Sequence, residues 1–214
     1  MRLATRCAAA TLGIAACSAQ AGEVYGAIGL PGLMVGYAQP IEGGFTLRAD
    51  VSTLGRRSFD GNEEGIEYRG KGKANRAGFF GDWFVAGGFR LTGGVTVNDV
   101  RVDLVAQGDG NPVTIGGTQY PTSTADRLDV TIKYPDVTPY LGIGYGHHAA
   151  EGGVGFVFDL GASIGKARVS ARTQGPNLSQ VAQSDLDREL AELRDGVGKA
   201  KVIPQISFGI NVRF

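Results

Sequence analysis

The chain has 214 residues, room for one domain, and carries 21 basic and 21 acidic side chains. With no cationic excess it lacks the footprint of a nucleic-acid binder, because neutralising phosphates needs a basic surface. Glycine is the unusual number, 35 residues without a three-residue period, which excludes a collagen-like chain and points to turns, bulges and crowded interiors.

Residues 1–21 read as an export signal. Arg2 and Arg6 supply the positive start, Cys7 to Cys17 the apolar run, and Ala19-Gln20-Ala21 a small-x-small cleavage site. Cleavage after Ala21 leaves 19 basic against 21 acidic side chains and removes both cysteines, so thiol chemistry and disulfides drop out. A competing reading takes Ile14-Ala15-Ala16-Cys17 as a lipoprotein box in which Cys17 is acylated. A buried N-terminal helix fits less well, since the stretch is short and has no amphipathic face. No later segment holds the roughly 20 apolar residues of a membrane-spanning helix, so a crossing here must use strands.

Punctuation and alternation divide 22–214 into eight candidate strands, at about 23–30, 33–40, 43–54, 65–85, 88–105, 127–147, 153–172 and 201–214. Phe45, Leu47, Ala49 and Val51 oppose Thr46, Arg48, Asp50 and Ser52. Phe89, Leu91, Gly93, Val95 and Val97 oppose Arg90, Thr92, Gly94, Thr96 and Asn98, and Val154, Phe156, Phe158, Leu160, Ala162 and Ile164 oppose Gly155, Val157, Asp159, Gly161, Ser163 and Gly165. Parity switches between Val97 and Val100 and between Tyr68 and Phe79, which reads as bulges or as strand extensions above a bilayer. Pro31-Gly32, Glu42-Gly43-Gly44, Ala86-Gly87-Gly88 and Glu151-Gly152-Gly153 mark tight reversals. Residues 55–64, 106–126 and 173–200 are longer and more polar. Short turns on one rim and long loops on the other is the pattern of an outer-membrane barrel.

Within 178–194, Leu186, Leu190 and Leu193 recur at helical spacing among charges, predicting a short amphipathic helix in the last long loop. It starts either at Ser184, through a Ser184/Asp187 capping box, or earlier, near Asn177. Its leucine face packs on the barrel mouth or the lipid surface.

The last strand alternates longest: Val202, Pro204, Ile206, Phe208, Ile210, Val212 and Phe214 lie on one side, with Lys201, Gln205, Ser207, Asn211 and Arg213 on the other, where Ile203 and Gly209 are the non-polar exceptions. A soluble strand averages about 5 to 6 residues, so this length suits a tilted bilayer crossing. Periodicity alone leaves open which face points outward, since a soluble barrel would turn its apolar side in. Aromatics near strand ends (Tyr37, Phe45, Trp83, Phe89, Tyr140, Tyr145, Phe214) favour interfacial girdles. An arginine on a lipid-facing wall costs about 2 to 4 kcal/mol at the midplane, so Arg48 and Arg90 must face the lumen. There they need partners, and a lumen ion network of Arg48, Asp50, Asp82, Arg90, Asp159 and Arg213 is expected, filling the interior. The resulting fold class is all-β: an eight-stranded antiparallel up-and-down transmembrane barrel over residues 22–214, preceded by a signal peptide at 1–21.

Ser207-Phe208-Gly209-Ile210-Asn211-Val212-Arg213-Phe214 resembles the C-terminal assembly signal of outer-membrane proteins, polar-x-Gly-x-x-hydrophobic-x-aromatic, with Val212 where an aromatic is usual. The resemblance implies that Ser207, Gly209, Val212 and Phe214 are read by the barrel-assembly machinery. The whole of 22–214, including the Gly- and aromatic-rich run Pro139-Tyr140-Leu141-Gly142-Ile143-Gly144-Tyr145-Gly146, resembles the small eight-stranded outer-membrane proteins, the group of the OmpA membrane domain, OmpX and OmpW. It implies a monomer in the outer membrane of a Gram-negative cell, in contact with outer-membrane lipids and lipopolysaccharide.

Three roles are compatible: a structural or surface-interaction barrel, a conduit for small hydrophobic molecules, and a lipid-modifying enzyme. The enzyme needs a histidine and a serine grouped at one rim. His147 and His148 have no serine beside them in sequence, and adjacent histidines on a strand point to opposite faces, which also counts against a metal held by His147, His148 and Glu151. No catalytic, cofactor or metal residue is therefore assigned.

Overall fold

The computed structural model describes residues 22–30, 32–63, 66–147, 152–197 and 201–214. The export signal, the lipoprotein box, Pro31, His148 and Glu151 lie outside them. The strands are β1 (Glu23–Leu30), β2 (Gly32–Ile41), β3 (Phe45–Glu63), β4 (Ile66–Ala86), β5 (Phe89–Gln107), β6 (Val113–Ile115), β7 (Thr118–Tyr120), β8 (Arg127–Lys133), β9 (Val137–Tyr145), β10 (Gly153–Ile164), β11 (Arg168–Gln174) and β12 (Val202–Arg213). One helix, α1 (Gln183–Val197), follows a single 3-10 turn at Leu178–Gln180.

An antiparallel ring of eight strands closes in the order β1, β2, β3, β4, β5, β9, β10, β12 and back to β1. The expected eight-stranded all-β barrel is what forms. The sixth and seventh candidate strands are each broken in two. Lys133 and Val137 stay in one register against β5, opposite Arg101 and Val97, with Pro135, which has no N–H to give, between them. Beside this break Gly165 interrupts the next strand, and a Cβ there would stand 2.8 Å from the Thr138 methyl. The outer pieces β8 and β11 extend β3, β4 and β5 into a sheet that rises above the ring. Its far edge, β11, pairs among the described residues only with β8.

Three expectations are corrected. Of residues 55–64, which read as a loop because they are polar, 55–63 instead continue β3 past a bulge between Thr53 and Gly55, whose φ is +69°, and Glu64 lies outside the described residues. Residues 106–126 contain the β6–β7 hairpin, turned by Gly116-Gly117, both at positive φ. Helix α1 starts at Gln183: the Ala182 carbonyl accepts from the N–H groups of Asp185 and Leu186, so Ser184 lies inside the first turn and is not the cap.

The outer face of the ring is apolar. Val95 and Val97 on β5 are 49% and 56% exposed, and Phe79, Leu141, Ile143, Phe156, Phe208 and Ile210 stand out from neighbouring strands. Within the ring, the buried set is mostly charged or polar, with Met34, Phe80 and Val157 among it. This is an inside-out distribution, stable only if hydrocarbon surrounds the wall. Tyr37, Phe45, Trp83, Phe89, Tyr145 and Phe214 lie on the exterior as expected. Tyr140 does not. It is 1% exposed inside the ring, edge-on to Phe80 at 4.9 Å, above Gly161, where a Cβ would meet its hydroxyl at 2.2 Å.

Neither parity switch is a bulge. Pairing of β4 with β5 runs unbroken from Tyr68↔Ala106 to Phe84↔Arg90, and the shift comes later, between Phe84 and Ala86. Side chains keep their face while the surroundings change. Beyond Val97 the outward positions of β5 become Asp99, Arg101 and Asp103, and the inward ones Val100, Val102 and Leu104. That inversion marks where hydrocarbon gives way to water.

Above this line α1 lies against β11 and the β6–β7 hairpin. Arg194 donates to the Val169 carbonyl at 3.4 Å, Glu189 accepts from the Gly116 N–H at 2.9 Å, and the Tyr120 hydroxyl donates to Asp185 at 2.7 Å. Asp126 is the fastening at the other end. Its carboxylate accepts from the backbone of Ser123, Asn177 and Leu178, each at 2.9 Å, and from the side chains of Ser123 and Asn177. Burial alone would raise its pKa, but these donors outweigh that and hold the carboxyl well below the ordinary carboxylate range.

Candidate functional site: the charged lumen

Alternation on a closed wall sends every second residue inward, so the polar halves of the strands meet on the axis. Arg48 of β3 lies at the centre. Its Nε donates to Asp82 of β4 at 2.9 Å and its Nη2 to Asp159 of β10 at 3.1 Å. Arg90 of β5 completes the square, donating to the same Asp159 oxygen at 3.0 Å and to Asp82 at 3.4 Å. Thr92 donates to Asp82 at 2.6 Å and accepts from Arg90 at 2.9 Å. Arg48 also stacks over Phe80, 4.8 Å from the ring centre. Two carboxyl groups from opposite walls are thus shared by two guanidinium groups, whose planar forks suit bridging.

Asp50 links this square to the next layer outward. It accepts from the Tyr25 hydroxyl at 3.0 Å and from Arg76 at 2.9 Å, and Arg76 also bonds Gln205. Further out, Thr96, Thr138 and Ser163 join hydroxyl to hydroxyl, Asn98 donates to Thr138 at 2.9 Å, and the Tyr134 hydroxyl donates to the Ser163 carbonyl at 2.7 Å. A cavity of about 20 Å³ remains among Arg76, Asn98, Ser163 and Gln205, room for about one water.

At the opposite rim Glu23 of β1 bonds His147 and accepts from Arg213 at 3.1 Å. Tyr25 meets the His147 ring edge-on at 4.6 Å. His147 is buried, with φ +60°. A cavity of about 290 Å³, lined in part by His147, Asn211 and Arg213, opens here.

Of the six residues expected in the network, the structure brings Arg48, Asp50, Asp82, Arg90 and Asp159 together, and places Arg213 in the separate rim cluster. Glu23, Tyr25, Arg76, His147 and Gln205 were missed. Parity could have found two of them: Arg76 is six residues from Asp82 and shares its face, and Glu23 shares the face of Tyr25. The layers hold four guanidinium groups (Arg48, Arg76, Arg90, Arg213) against four carboxyl groups (Glu23, Asp50, Asp82, Asp159), all buried. Such pairs add little net stability but are costly to break.

The assembly-signal positions sit on β12. Ser207 is buried, Val212 and Phe214 are exposed, and a Cβ at Gly209 would stand 2.1 Å from the Gly26 carbonyl of β1. Among the described residues no group of three or more metal-ligating side chains converges.

No family model and no curated protein matches the sequence. Among solved structures the chain is similar to the crystal structure of Acinetobacter baumannii CarO2, with a TM-score of 0.59 at 17% identity, covering 91% of this chain and 98% of that one. It is also similar to A. baumannii CarO, with a TM-score of 0.56 at 16% identity, covering 90% and 97%. At such identities the likeness is one of fold, and it covers nearly the whole of both chains.

Proposed function

We propose that this protein resides in the outer membrane of a Gram-negative cell as a barrel with a closed lumen, and that its role is structural or one of surface interaction. One observation carries the reading: Arg48 and Arg90 bridge Asp82 and Asp159 across the axis of the ring. Ions would have to break buried pairs to pass, at several kcal/mol each. The fold likeness to two outer-membrane-type barrels supports the location, as does the apolar exterior. On this reading Ser207, Gly209, Val212 and Phe214 address the chain to the barrel-assembly machinery, and the barrel works as a monomer among outer-membrane lipids.

Planar-bilayer recording tests the closed lumen. Reconstituted protein is expected to give no stepwise conductance, and reproducible steps that vanish without protein would overturn the reading. The location is tested by heating: an unboiled sample is expected to migrate differently on SDS gels from a boiled one.

A second reading, passage of small apolar molecules, has one observation in its favour. Among the described residues the wall above the membrane line is incomplete, because β11 pairs only with β8, and β12 meets β10 no further than Val202↔Ile164. Uptake of an apolar dye into proteoliposomes distinguishes it. An enzymatic role gains no comparable support, since His147 is turned inward onto Glu23.

A further inference from the structure

We propose that the outward face of the upper sheet is a binding site for the phosphate groups of a membrane glycolipid, whose acyl chains lie in a groove on the wall below. The inference rests on the membrane reading given above and adds a ligand class and its residues.

Two hollows on the exterior share strands β4 and β5. The upper one, about 880 Å³, spans β4, β5, β8 and β11 and presents Arg69, Lys71, Arg101, Arg127 and Arg172 against only Asp103 and Asp129. Both carboxylates are already held: Asp103 by Arg101 at 2.7 Å and by the Thr131 hydroxyl at 2.7 Å, and Asp129 by Arg127 at 2.7 Å and by Gln174 at 3.1 Å. Arg69 and Arg172 make no ion pair among the described residues, so the hollow keeps a cationic surplus. Two guanidinium groups and the Lys71 ammonium on one concave surface match the several acceptor oxygens of a phosphate monoester.

The lower hollow is apolar and shallow, about 530 Å³. Small residues (Gly36, Ala49, Ala77, Gly78) form its floor, and Val51, Phe79, Val95 and Val97 are among its walls. A groove of this kind on a lipid-facing wall accepts a hydrocarbon chain.

The spacing joins them. Along β5 the outward face passes from Val97 to Arg101 in four residues, about 13 Å of strand and about 10 Å of height at the usual tilt. Headgroup layers are roughly 5 to 8 Å deep, and arginine and lysine stems reach back toward the interface. A ligand with chains in the groove and phosphates in the hollow therefore straddles the boundary between the hydrocarbon and the headgroup layer. A free anion would use only the upper hollow and a neutral lipid only the lower one.

The test is native mass spectrometry of the full barrel in detergent with lipid A, a glycolipid carrying phosphate monoesters, set against enzymatically dephosphorylated lipid A. Wild type is expected to retain lipid A, and the exposed triple variant R69Q/K71Q/R172Q to bind it at least about tenfold more weakly. Dephosphorylated lipid A should bind wild type no better than intact lipid A binds the variant. Undiminished binding by a triple variant that keeps its heat-dependent gel shift overturns the inference. So does complete displacement by inorganic phosphate at the lipid's own concentration, which would make the hollow a free-anion site. Failure of the membrane reading is seen separately, as wild-type protein soluble without detergent and lacking the gel shift.

Discussion

Strands β4 and β5 cross without a register break from one region into another with opposite rules. In the ring, the inward face is ionic and the outward face oily. In the upper sheet, the outward face is ionic and the inward face carries Val100, Val102 and Leu104. The covalent geometry and the hydrogen-bond ladder are the same in both, so what differs is the medium on each side. Alternation records which residues share a face. Only the chemistry of the two faces together records what each one touches.

The sharpest way to break this comparison is to empty the ring's centre. Arg48→Ala leaves Asp82 and Asp159 short of a partner in a dry interior and should cost about 3 to 5 kcal/mol, read as a lowered urea midpoint for loss of the gel shift. An alanine variant within 1 kcal/mol of wild type would mean that water fills the lumen.

Next comes one substitution made twice on one strand. Val95→Arg places a charge on the oily wall and should cost about 2 to 4 kcal/mol in lipid vesicles. Val105→Arg, on the same face of β5 but beyond the inversion, should stay within about 0.5 kcal/mol. Equal costs would erase the distinction between the regions.

The upper sheet also answers to pH through Asp126. Its folded pKa lies below the unfolded value of about 3.9, so its contribution is complete above that value and is lost as pH falls toward the folded one. Between pH 5 and pH 2, hydrogen exchange at Asn177 and Leu178 should accelerate relative to the ring, and Asp126→Asn should remove much of that pH dependence. The smallest effect expected is that of Tyr140→Phe. The Tyr140 hydroxyl is buried with no hydrogen-bond partner, so its removal should change stability by no more than about 1 kcal/mol, in either direction.

Much of the ring was legible in the sequence because alternation is strict there: β3, β5, β10 and β12 each carry oily and polar sets in step. The lumen square followed from the cost of arginine in lipid. What escaped lay where that logic stops. Residues 55–61 are exposed to water and, Phe59 apart, carry no large apolar side chain, and polarity alone reads as a loop. Tyr140 was assigned outward because aromatics favour interfaces, although its parity with Thr138 put it inside, where Gly142 and Gly161 leave room for the ring. Parity places Glu23 and Arg76 inside, but their partners His147 and Gln205 come from far along the chain, and only closure of the ring shows the pairs.

The pairing of β1 with β12 has a consequence for how the molecule is made. Every other junction in the ring joins neighbours in the order of synthesis and can zip locally, but this one unites positions such as Glu23 and Arg213, 190 residues apart. Such a contact is entropically late, so the cylinder stays a curled ribbon with two raw margins until its final segment arrives. Removing that segment would expose both margins at once, and β12 therefore acts as the latch for the whole wall.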